Sequence, residues 1–302
     1  MVLDVRQVER GSEGYPPLLV EAAGAPAALF VAGRSLEPAP YVAVVGTRRA
    51  SRYGLEVATW MGRELAAAGV VVVSGMAAGI DAAAHRGALA TGLTVAVLGS
   101  GVDVCYPRSN GPLYQEIAER GSLVSEYPAG TAPAPWRFPA RNRIIAGMSL
   151  GVVIVEARPD GGAMITARLA MEYGREVFAV AGPVHAPGSK GPHALVRDGA
   201  RLVTSARDVV EDLGLGAPLS TAAWTQDAVP PRMPVLSPDE RIVLSVLQAE
   251  PMLLDRIARL AGMPASAATA VLSRLELAGL ASRHPGARFA RTVAGSESFS
   301  VP

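Results

Sequence analysis

Short apolar runs alternate with helical stretches from Tyr41 to Leu213, and no other feature limits the possible folds of the chain as strongly. Runs such as VVVV at 70–73 and GVVIV at 151–155 are typical of strands that are covered on both faces. The alternation predicts a Rossmann-like α/β fold, with a doubly wound, mostly parallel sheet that binds ligands at the carboxyl ends of its strands. The predicted strands are 41–45, 70–73, 94–98, 122–125, 151–155, 176–180 and 201–203, and the predicted helices are 53–68, 79–91, 110–119, 163–173 and 205–213.

The chain divides into four predicted parts. Residues 1–39 contain proline-broken apolar segments and are expected to form an irregular N-terminal extension packed on the core, and residues 40–213 form the Rossmann-like domain. Residues 214–235 are rich in Pro, Gly, Ala and Ser, which is typical of a linker. Residues 236–292 begin with a helix-start signal, Ser237-Pro238-Asp239-Glu240. We expect a small winged-helix domain there, with helices at 238–248, 253–261 and 265–278 and a wing at 281–291.

Composition narrows the classes of function. The 302 residues carry a formal net charge of +1, so any nucleic-acid site must be a local patch. Cys105 is the only cysteine, which excludes an intrachain disulfide and a CxxC zinc site. We find no signal-peptide core and no apolar run long enough for a membrane span, and therefore expect a cytoplasmic protein.

A glycine-containing loop, VVGTRRASRYG, follows the first predicted strand at 44–54. A glycine lets backbone N–H groups approach a phosphate, and the N-terminus of the next helix adds partial positive charge. An arginine can then hold phosphate oxygens through two hydrogen bonds. The spacing matches neither a dinucleotide fingerprint nor a Walker loop, and an ordinary turn with solvated arginines is the alternative. The candidate nucleic-acid-binding residues are Gly46, Thr47, Arg48, Ser51 and Arg52.

A second loop of this kind, SGMAAGIDAAAH, follows the next strand at 74–85. Ser74, Gly75 and Gly79 are its candidate phosphate-binding residues. Asp81 and His85 are four residues apart and share a helix face. They are either an acid–base pair or half of a metal site, or an aspartate that orients a neighbouring histidine by a hydrogen bond.

Three arginines surround an aromatic residue in RFPARNRII at 137–145, with no acid nearby in the sequence. The three arginines, Arg137, Arg141 and Arg143, can hold the phosphates of a flexible strand, while Phe138 offers a flat face on which a base can stack. The alternative is a buried phenylalanine and an arginine that hydrogen-bonds loop carbonyls.

Two further segments suit an anion. DGGAMITAR at 160–168 opens a helix after a strand, which makes Gly162 and Thr166 candidates. Lys190, the only lysine, lies in the segment Ser189–His193, which we expect to precede a helix. An ordinary exposed lysine is the alternative for Lys190.

These motifs, taken together and in their order, resemble the DNA-processing protein A (DprA/Smf) family over residues 15–213, and the C-terminal winged helix matches the family's usual appendage. The segments that carry the resemblance are VVGTRRASRYG, SGMAAGIDAAAHRGAL, VLGSGVDVCYP, SEYPAGTAP, FPARNRIIAG, VVIVEA with GGAMITA, and GSKGPHALVRDGARLV.

The resemblance implies a homodimeric, sequence-independent single-stranded DNA-binding protein. Such proteins protect incoming strands in natural transformation and load a RecA-type recombinase while displacing single-strand binding protein. The resemblance implies no catalytic residue, no metal and no cofactor. It assigns backbone phosphates to Arg48 and the Gly46–Ser51 loop, and the lining or support of the DNA cleft to Phe138, Arg141, Asn142 and Arg143. Lys190 would complete the pocket.

Two departures qualify this expectation. The family's SGSLITA-like motif reads GGAMITA at 161–167, so two side-chain hydroxyls are missing. The candidate recognition helix of the winged-helix domain, Ala265–Ala278, carries only Arg274 and Glu276 as charged residues. A helix that reads duplex DNA usually presents several polar or cationic side chains. We therefore predict that this domain packs on a protein partner or binds DNA weakly.

Two other functions stay open. A nucleotide or nucleotide-sugar hydrolase could use the same Rossmann-like cleft, with Asp81, His85, Glu126 and Glu156 as acid–base candidates. A winged-helix regulator whose large domain senses a nucleotide is the third reading, which the poor recognition helix disfavours.

Overall fold

Residues 3–215 and 236–292 are described in a computed structural model, in which the chain forms two compact units. The first unit is built on one nine-stranded sheet. Its strands are β1 (Val5–Glu9), β2 (Ala28–Gly33), β3 (Tyr41–Val45), β4 (Val71–Ser74), β5 (Thr94–Val97), β6 (Ser122–Ser125), β7 (Gly151–Ile154), β8 (Glu176–Val180) and β9 (Arg201–Val203).

Helices connect these strands and cover both faces of the sheet. They are α1 (Pro17–Glu21), α2 (Arg52–Ala67), α3 (Ile80–Thr91), α4 (Gly111–Arg120), α5 (Arg137–Met148), α6 (Gly162–Glu172), α7 (Lys190–Arg197) and α8 (Ala206–Asp212), with short 3-10 turns at Arg108–Asn110 and Pro187–Ser189.

The strand order is β1-β2-β6-β5-β4-β3-β7-β8-β9, and β3 to β9 run parallel to one another. The strands β4, β5 and β6 follow one another on one side of β3. The next strand along the chain, β7, pairs with β3 on its other side. The doubly wound parallel sheet predicted from the sequence is therefore confirmed. The reversal between β3 and β7 opens a crevice at the carboxyl ends of these two strands, where ligands bind in this class of fold.

Alternation along the buried strands divides the core into two layers. Val42 and Val44 of β3 face the layer formed by α2, α3 and α8, while Ala43 and Val45 face α5 and α6. Burying a valine side chain contributes about 1.5–3 kcal/mol, so the two-sided burial of the central strands holds both helical layers on one scaffold. This two-sided burial also explains why the seven predicted strands match the observed ones to within one residue at each end.

The N-terminal segment differs from the expected irregular extension. It forms α1 and two strands, of which β2 pairs antiparallel with β6, and β1 pairs antiparallel with β2 at the edge of the sheet. Burial alternates only in the first half of β2: Leu29 and Val31 are buried and Ala28 and Phe30 less so, but Ala32 is buried as well. Proline and glycine on both sides obscured this short pattern in the sequence. The expected linker, residues 214–235, lies outside the described residues except for Gly214 and Leu215.

The second unit has the winged-helix order of elements that the sequence predicted. Its elements are α9 (Pro238–Val246), β10 (Met252–Leu253), α10 (Leu254–Leu260), α11 (Ala265–Leu277), β11 (Ala281–His284) and β12 (Arg288–Arg291). Ser237 caps α9 in a reciprocal arrangement: its hydroxyl accepts from Glu240 N at 3.3 Å, and the Glu240 carboxylate accepts from Ser237 N at 2.8 Å. The strands β11 and β12 form the wing, and β10 pairs with β12.

Within the described ranges 3–215 and 236–292, none of the helices combines the length and the apolar character needed to cross a membrane.

Candidate nucleic-acid interface

A cleft of about 660 Å³ lies at the carboxyl edge of the sheet, beyond the ends of the paired strands β3 and β7. Three segments supply most of its walls: the loop after β3, the loop and helix start after β7, and the first half of α5. Among the described residues that line it, four are arginines and one, Asp81, is acidic. The lining consists of Val45, Gly46, Thr47, Arg48, Arg49, Ala77, Asp81, Tyr106, Pro135, Phe138, Pro139, Arg141, Asn142, Ile145, Ala157, Arg158, Gly161, Gly162, Ala163, Ile165 and Thr166.

The loop after β3 is held from beneath by Glu156, which is only 3% exposed. The Glu156 backbone carbonyl accepts from Thr47 N at 2.7 Å, and its carboxylate accepts from Ser51 N at 2.9 Å and from Ser51 Oγ at 2.5 Å. A Cβ added at Gly46 would lie 2.5 Å from Cγ1 of Ile80, so this tight turn requires glycine. The Ser51 side chain is therefore a cap and an anchor for the loop, and the loop presents Arg48 and Arg49 on its exposed side.

An arginine and two aromatic rings form one wall of the cleft. The guanidinium carbon of Arg48 lies 5.3 Å from the centroid of the Phe138 ring. Phe138 in turn stacks on Tyr106, with 5.2 Å between ring centroids and 24° between ring planes. This places a cation beside a flat aromatic surface, which is the combination that binds a phosphate and a neighbouring base of a single strand.

The start of α6 forms another part of the lining. Gly162 is the first residue of this helix and is exposed, and no side chain caps the helix start. The first N–H groups of a helix have no partner inside the helix and attract anions. A Cβ added at Gly162 would meet no atom within 4 Å, so the space in front of these N–H groups is open. Thr166, one turn further along, is 2% exposed and completes this part of the lining.

The floor contains two buried charged residues, Arg141 and Asp81. The Arg141 side chain donates to Val97 O at 2.8 Å and is 4% exposed, and burial lowers its pKa to about 10 despite the opposing charge of Asp81. The Asp81 carboxylate accepts from Gly75 N at 3.2 Å and Ala77 N at 3.4 Å. A Cβ added at Gly75 would lie 1.7 Å from Nη1 of Arg141. Gly75 thus provides room for Arg141, and its N–H binds Asp81.

Several candidates from the sequence lie outside the cleft lining. The hydroxyl of the buried Ser74 donates to Val44 O at 2.7 Å, and the left-handed Gly79 has φ +83° beside the backbone of Thr47. Arg52 pairs with Glu56 at 2.9 Å. Lys190 is exposed and is the first residue of α7. The helix therefore begins inside the segment Ser189–His193, and not after it as the sequence predicted. Asn142 does line the cleft, with its amide Nδ2 3.4 Å from Gly162 O.

Arg143 corrects one expectation from the sequence. The three arginines of RFPARNR have no acid nearby along the chain, but Arg143 forms an ion pair with Glu126, and both side chains are mostly buried. Glu126 directly follows β6, whereas Arg143 lies on α5. The two residues are 17 positions apart, so their pairing depends on the fold and is not visible in the local sequence.

The proposed pairing of Asp81 with His85 is wrong. His85 is fully buried, and its Nδ1 lies 2.6 Å from Oγ1 of Thr94, which itself donates to Val72 O. Burial lowers the pKa of His85 to about 3, so the ring is neutral. Asp81 binds backbone N–H groups instead of orienting this histidine. The acid–base candidates of the hydrolase reading are therefore not assembled around one reacting position: Glu126 binds Arg143 and Glu156 binds Ser51.

Several lining residues were not among the candidates from the sequence, and Tyr106 and Arg158 are two of them. Arg158 forms a 3.4 Å pair with Asp160, but both side chains are about three-quarters exposed, so the pair contributes little. Tyr106 belongs to the segment VLGSGVDVCYP that carries the resemblance. Only the structure shows that its ring stacks on Phe138.

The exposed face of α11 in the winged-helix unit is formed mainly by Ala, Ser and Thr residues. Arg274, its only basic residue, pairs with Glu240 at 2.8 Å. Ala268 and Val271 are buried in the unit. Part of the apolar character of α11 is therefore explained by its packing inside the unit. The weak or absent DNA reading of this helix stays a prediction.

Comparisons with known proteins agree with these motifs. The family model for DNA recombination-mediator protein A matches residues 6–214, and the model for the DprA winged helix domain matches residues 227–287. Protein Smf of Escherichia coli K12 is 41% identical over 285 residues, which cover 91% of this chain and 74% of that protein.

Two solved structures are similar to the chain. DNA processing protein A of Streptococcus pneumoniae is 42% identical with a TM-score of 0.66, covering 69% of this chain and 74% of that one. The Helicobacter pylori protein, whose structure describes a mode of single-stranded DNA binding, is 30% identical with a TM-score of 0.64, covering 70% of this chain and 96% of that one. The chain therefore belongs to the DNA recombination-mediator protein A (DprA/Smf) family.

Proposed function

We propose that the cleft binds single-stranded DNA without sequence preference. The observation that carries this proposal is the wall in which Arg48 lies over Phe138 and Phe138 stacks on Tyr106. Arg48 would turn from the Phe138 ring to hold a backbone phosphate, and the start of α6 at Gly162 would hold a second one. The base between them would stack on the face of Phe138 that Tyr106 does not cover. Stacking accepts every base, because each base has a flat face.

A single strand fits this arrangement better than a duplex. Stacking on Phe138 requires a base that has left its own stack, which costs a duplex several kcal/mol and a flexible strand much less. The lining also offers cations and N–H groups, which bind phosphates, and few side chains that could read the edge of a base.

The charges of the cleft give a quantitative expectation. With Arg48, Arg49 and Arg158 each neutralising one phosphate, and the buried Arg141 as an optional fourth, the slope of log K against log salt is about −2 to −3. Affinity then falls about 15- to 60-fold between about 50 mM and about 200 mM salt. Arg48→Ala makes the slope about 0.7 less steep and weakens binding similarly for all sequences.

The test is a salt titration with mixed-sequence oligonucleotides, with the matched duplex and Arg48→Ala as controls. Tight, salt-sensitive binding that favours the single strand is expected. Wild-type affinity of Arg48→Ala at physiological salt would refute the assignment of the cleft. If the protein releases free base from nucleoside monophosphates and Asp81→Asn loses this activity, the hydrolase would be favoured instead. The hydrogen bonds of Asp81 and His85 argue against that function.

Family membership supports a proposal for the wider biological role. We propose that the chain acts in the cytoplasm as a non-enzymatic homodimer that protects incoming DNA in natural transformation. It would load a RecA-type recombinase onto the bound strand in place of single-strand binding protein. Recombinase assembly on DNA coated with single-strand binding protein, measured with and without this protein, tests this role.

A further inference from the structure

Trp136 is a large aromatic side chain whose surface is 62% exposed. It lies at the N-terminal cap of α5, two residues before Phe138, and its neighbours Pro135, Phe138 and Pro139 line the cleft while Trp136 itself does not. The proposed DNA cleft therefore leaves this ring without a function. Tryptophan rings are usually mostly buried, so its exposure requires an explanation.

The ring is held in place by a cation and a second aromatic. The guanidinium carbon of Arg137 lies 5.0 Å from the Trp136 ring centroid and 4.7 Å from that of Tyr127. Tyr127 and Trp136 meet edge to face, with centroids 6.3 Å apart. Arg137 is itself fixed, because it donates to Ala132 O. Trp136 is thus an exposed ring in a fixed position, and a base that stacks on it loses no side-chain freedom of the protein.

This cluster continues the edge of the sheet that forms the cleft. Tyr106 lies in the loop after β5, and Tyr127 lies in the loop after its parallel neighbour β6. Both loops leave the sheet at its carboxyl edge, in the order cleft, β5 loop, β6 loop. The Cα atoms of residues two apart in a chain are separated by at most about 7 Å, so the backbone at Trp136 lies close to that at Phe138.

The charge of the cluster also suits a DNA strand. Arg137 brings a positive charge, and its Nε is buried without a hydrogen-bond partner. Glu126, the acid that directly precedes Tyr127, is bound to Arg143. A phosphate that approaches Trp136 would therefore meet Arg137 without strong repulsion from this carboxylate.

We infer that Trp136, backed by Arg137 and Tyr127, is a second base-stacking site that receives a nucleotide of the same strand beyond the one held on Phe138. The inference rests on the proposed single-stranded DNA binding by the cleft. A second site of this kind fixes the path of the bound strand along the edge of the sheet, from the β3–β7 crevice toward β6. It also adds a nucleotide to the length of DNA that the protein covers.

The test is a length series of oligothymidylates, from about 4 to about 16 nucleotides, which spans the site sizes of single-strand binding folds. Affinity is measured for the full chain and for Trp136→Ala, Trp136→Phe and Arg48→Ala. Met171→Ala, which removes an exposed apolar side chain from the last turn of α6, is the matched control. Thermal unfolding of each variant establishes that it is folded.

Trp136→Ala should bind the shortest oligonucleotides like wild type and lose about 5- to 150-fold in affinity once the strand is long enough to reach the second site. Trp136→Phe, which keeps a ring, should recover most of this loss. The tryptophan emission of wild type should be quenched by the longer oligonucleotides more than that of Trp136→Phe, because a base stacks on the ring that the variant lacks.

Three results would overturn the inference. Wild-type affinity of Trp136→Ala at every length, with binding lost in Arg48→Ala, would leave the cleft intact and exclude the second site. The exposed ring would then be available to a protein partner. An equal loss at every length would place Trp136 inside the first site. No binding by wild type at any length would refute the proposed function itself, on which the inference depends.

Discussion

Gly162→Glu should make the protein more stable and yet weaken its binding of DNA. Gly162 is the first residue of α6, it is exposed, and an added side chain meets no atom within 4 Å of its Cβ position. Replacing a helical glycine by glutamate contributes about 0.5–1 kcal/mol. A negative charge at a helix N-terminus adds about 0.3–1 kcal/mol.

The expected gain in the free energy of unfolding is therefore about 1–2 kcal/mol, or roughly 2–8 °C in the thermal midpoint of a unit of this size. The same carboxylate stands where we propose a DNA phosphate. Two like charges about 4 Å apart repel by about 1 kcal/mol in water and by more near a protein surface. Affinity for single-stranded DNA should fall about 5- to 30-fold, taking a repulsion of about 1–2 kcal/mol.

Thermal unfolding and fluorescence anisotropy with a labelled oligonucleotide measure the two effects. Gly162→Gln is the matched control, because it adds a side chain of similar size without the charge. It should keep most of the stability gain and lose much less affinity. If Gly162→Glu is folded and binds DNA as tightly as wild type, the start of α6 is not a phosphate site, and the reasoning from its open N–H groups is wrong.

Three further predictions concern the floor, the core and the aromatic wall. Gly75→Ala places a Cβ 1.7 Å from the Arg141 guanidinium and should destabilise the unit by about 3 kcal/mol or more, measured by denaturant unfolding, since it disrupts a buried charge. Burial lowers the pKa of His85 to about 3, so the unfolded state binds the extra proton below pH 6.5. Stability should fall on acidification from about pH 6.5, by up to about 1.4 kcal/mol per pH unit, and His85→Gln should remove this contribution. Phe138→Leu keeps an apolar side chain but loses the flat face, and its affinity for single-stranded DNA should fall about 5-fold or more. Wild-type affinity of this variant would exclude stacking on Phe138.

The sequence predicted the central sheet well because its strands are buried on both faces. Runs such as those around Val72 and Val153 are apolar throughout, and no alternative element buries them as well. It failed for β1 and β2, where antiparallel edge pairing leaves a weak, interrupted alternation. No helix was predicted for FPARNRIIAGM either, because proline and arginine residues open the segment. The structure shows that this segment belongs to α5.

The candidate site was predicted in its loops but not in the position of each side chain. Arg48, Phe138 and Gly162 all line the cleft at the carboxyl ends of the strands. Whether an arginine is exposed or buried depends on partners that are distant along the chain. Arg141 is buried because Gly75 leaves room for it, and Arg143 is occupied because Glu126 lies beside it. No local pattern encodes such pairs, and the same holds for the stack of Tyr106 on Phe138.

The two buried carboxylates beneath the cleft have a consequence for the kinetics of binding. Glu156 and Asp81 hold the backbone of the loops after β3 and β4 through hydrogen bonds that involve protein atoms alone. If the cleft is the DNA site, we expect the conformation that accepts DNA to be the populated one, so that affinity is not reduced by a rare open state. Association should be limited by encounter and electrostatic steering, and differences in affinity among variants of the cleft should appear mainly in the dissociation rate.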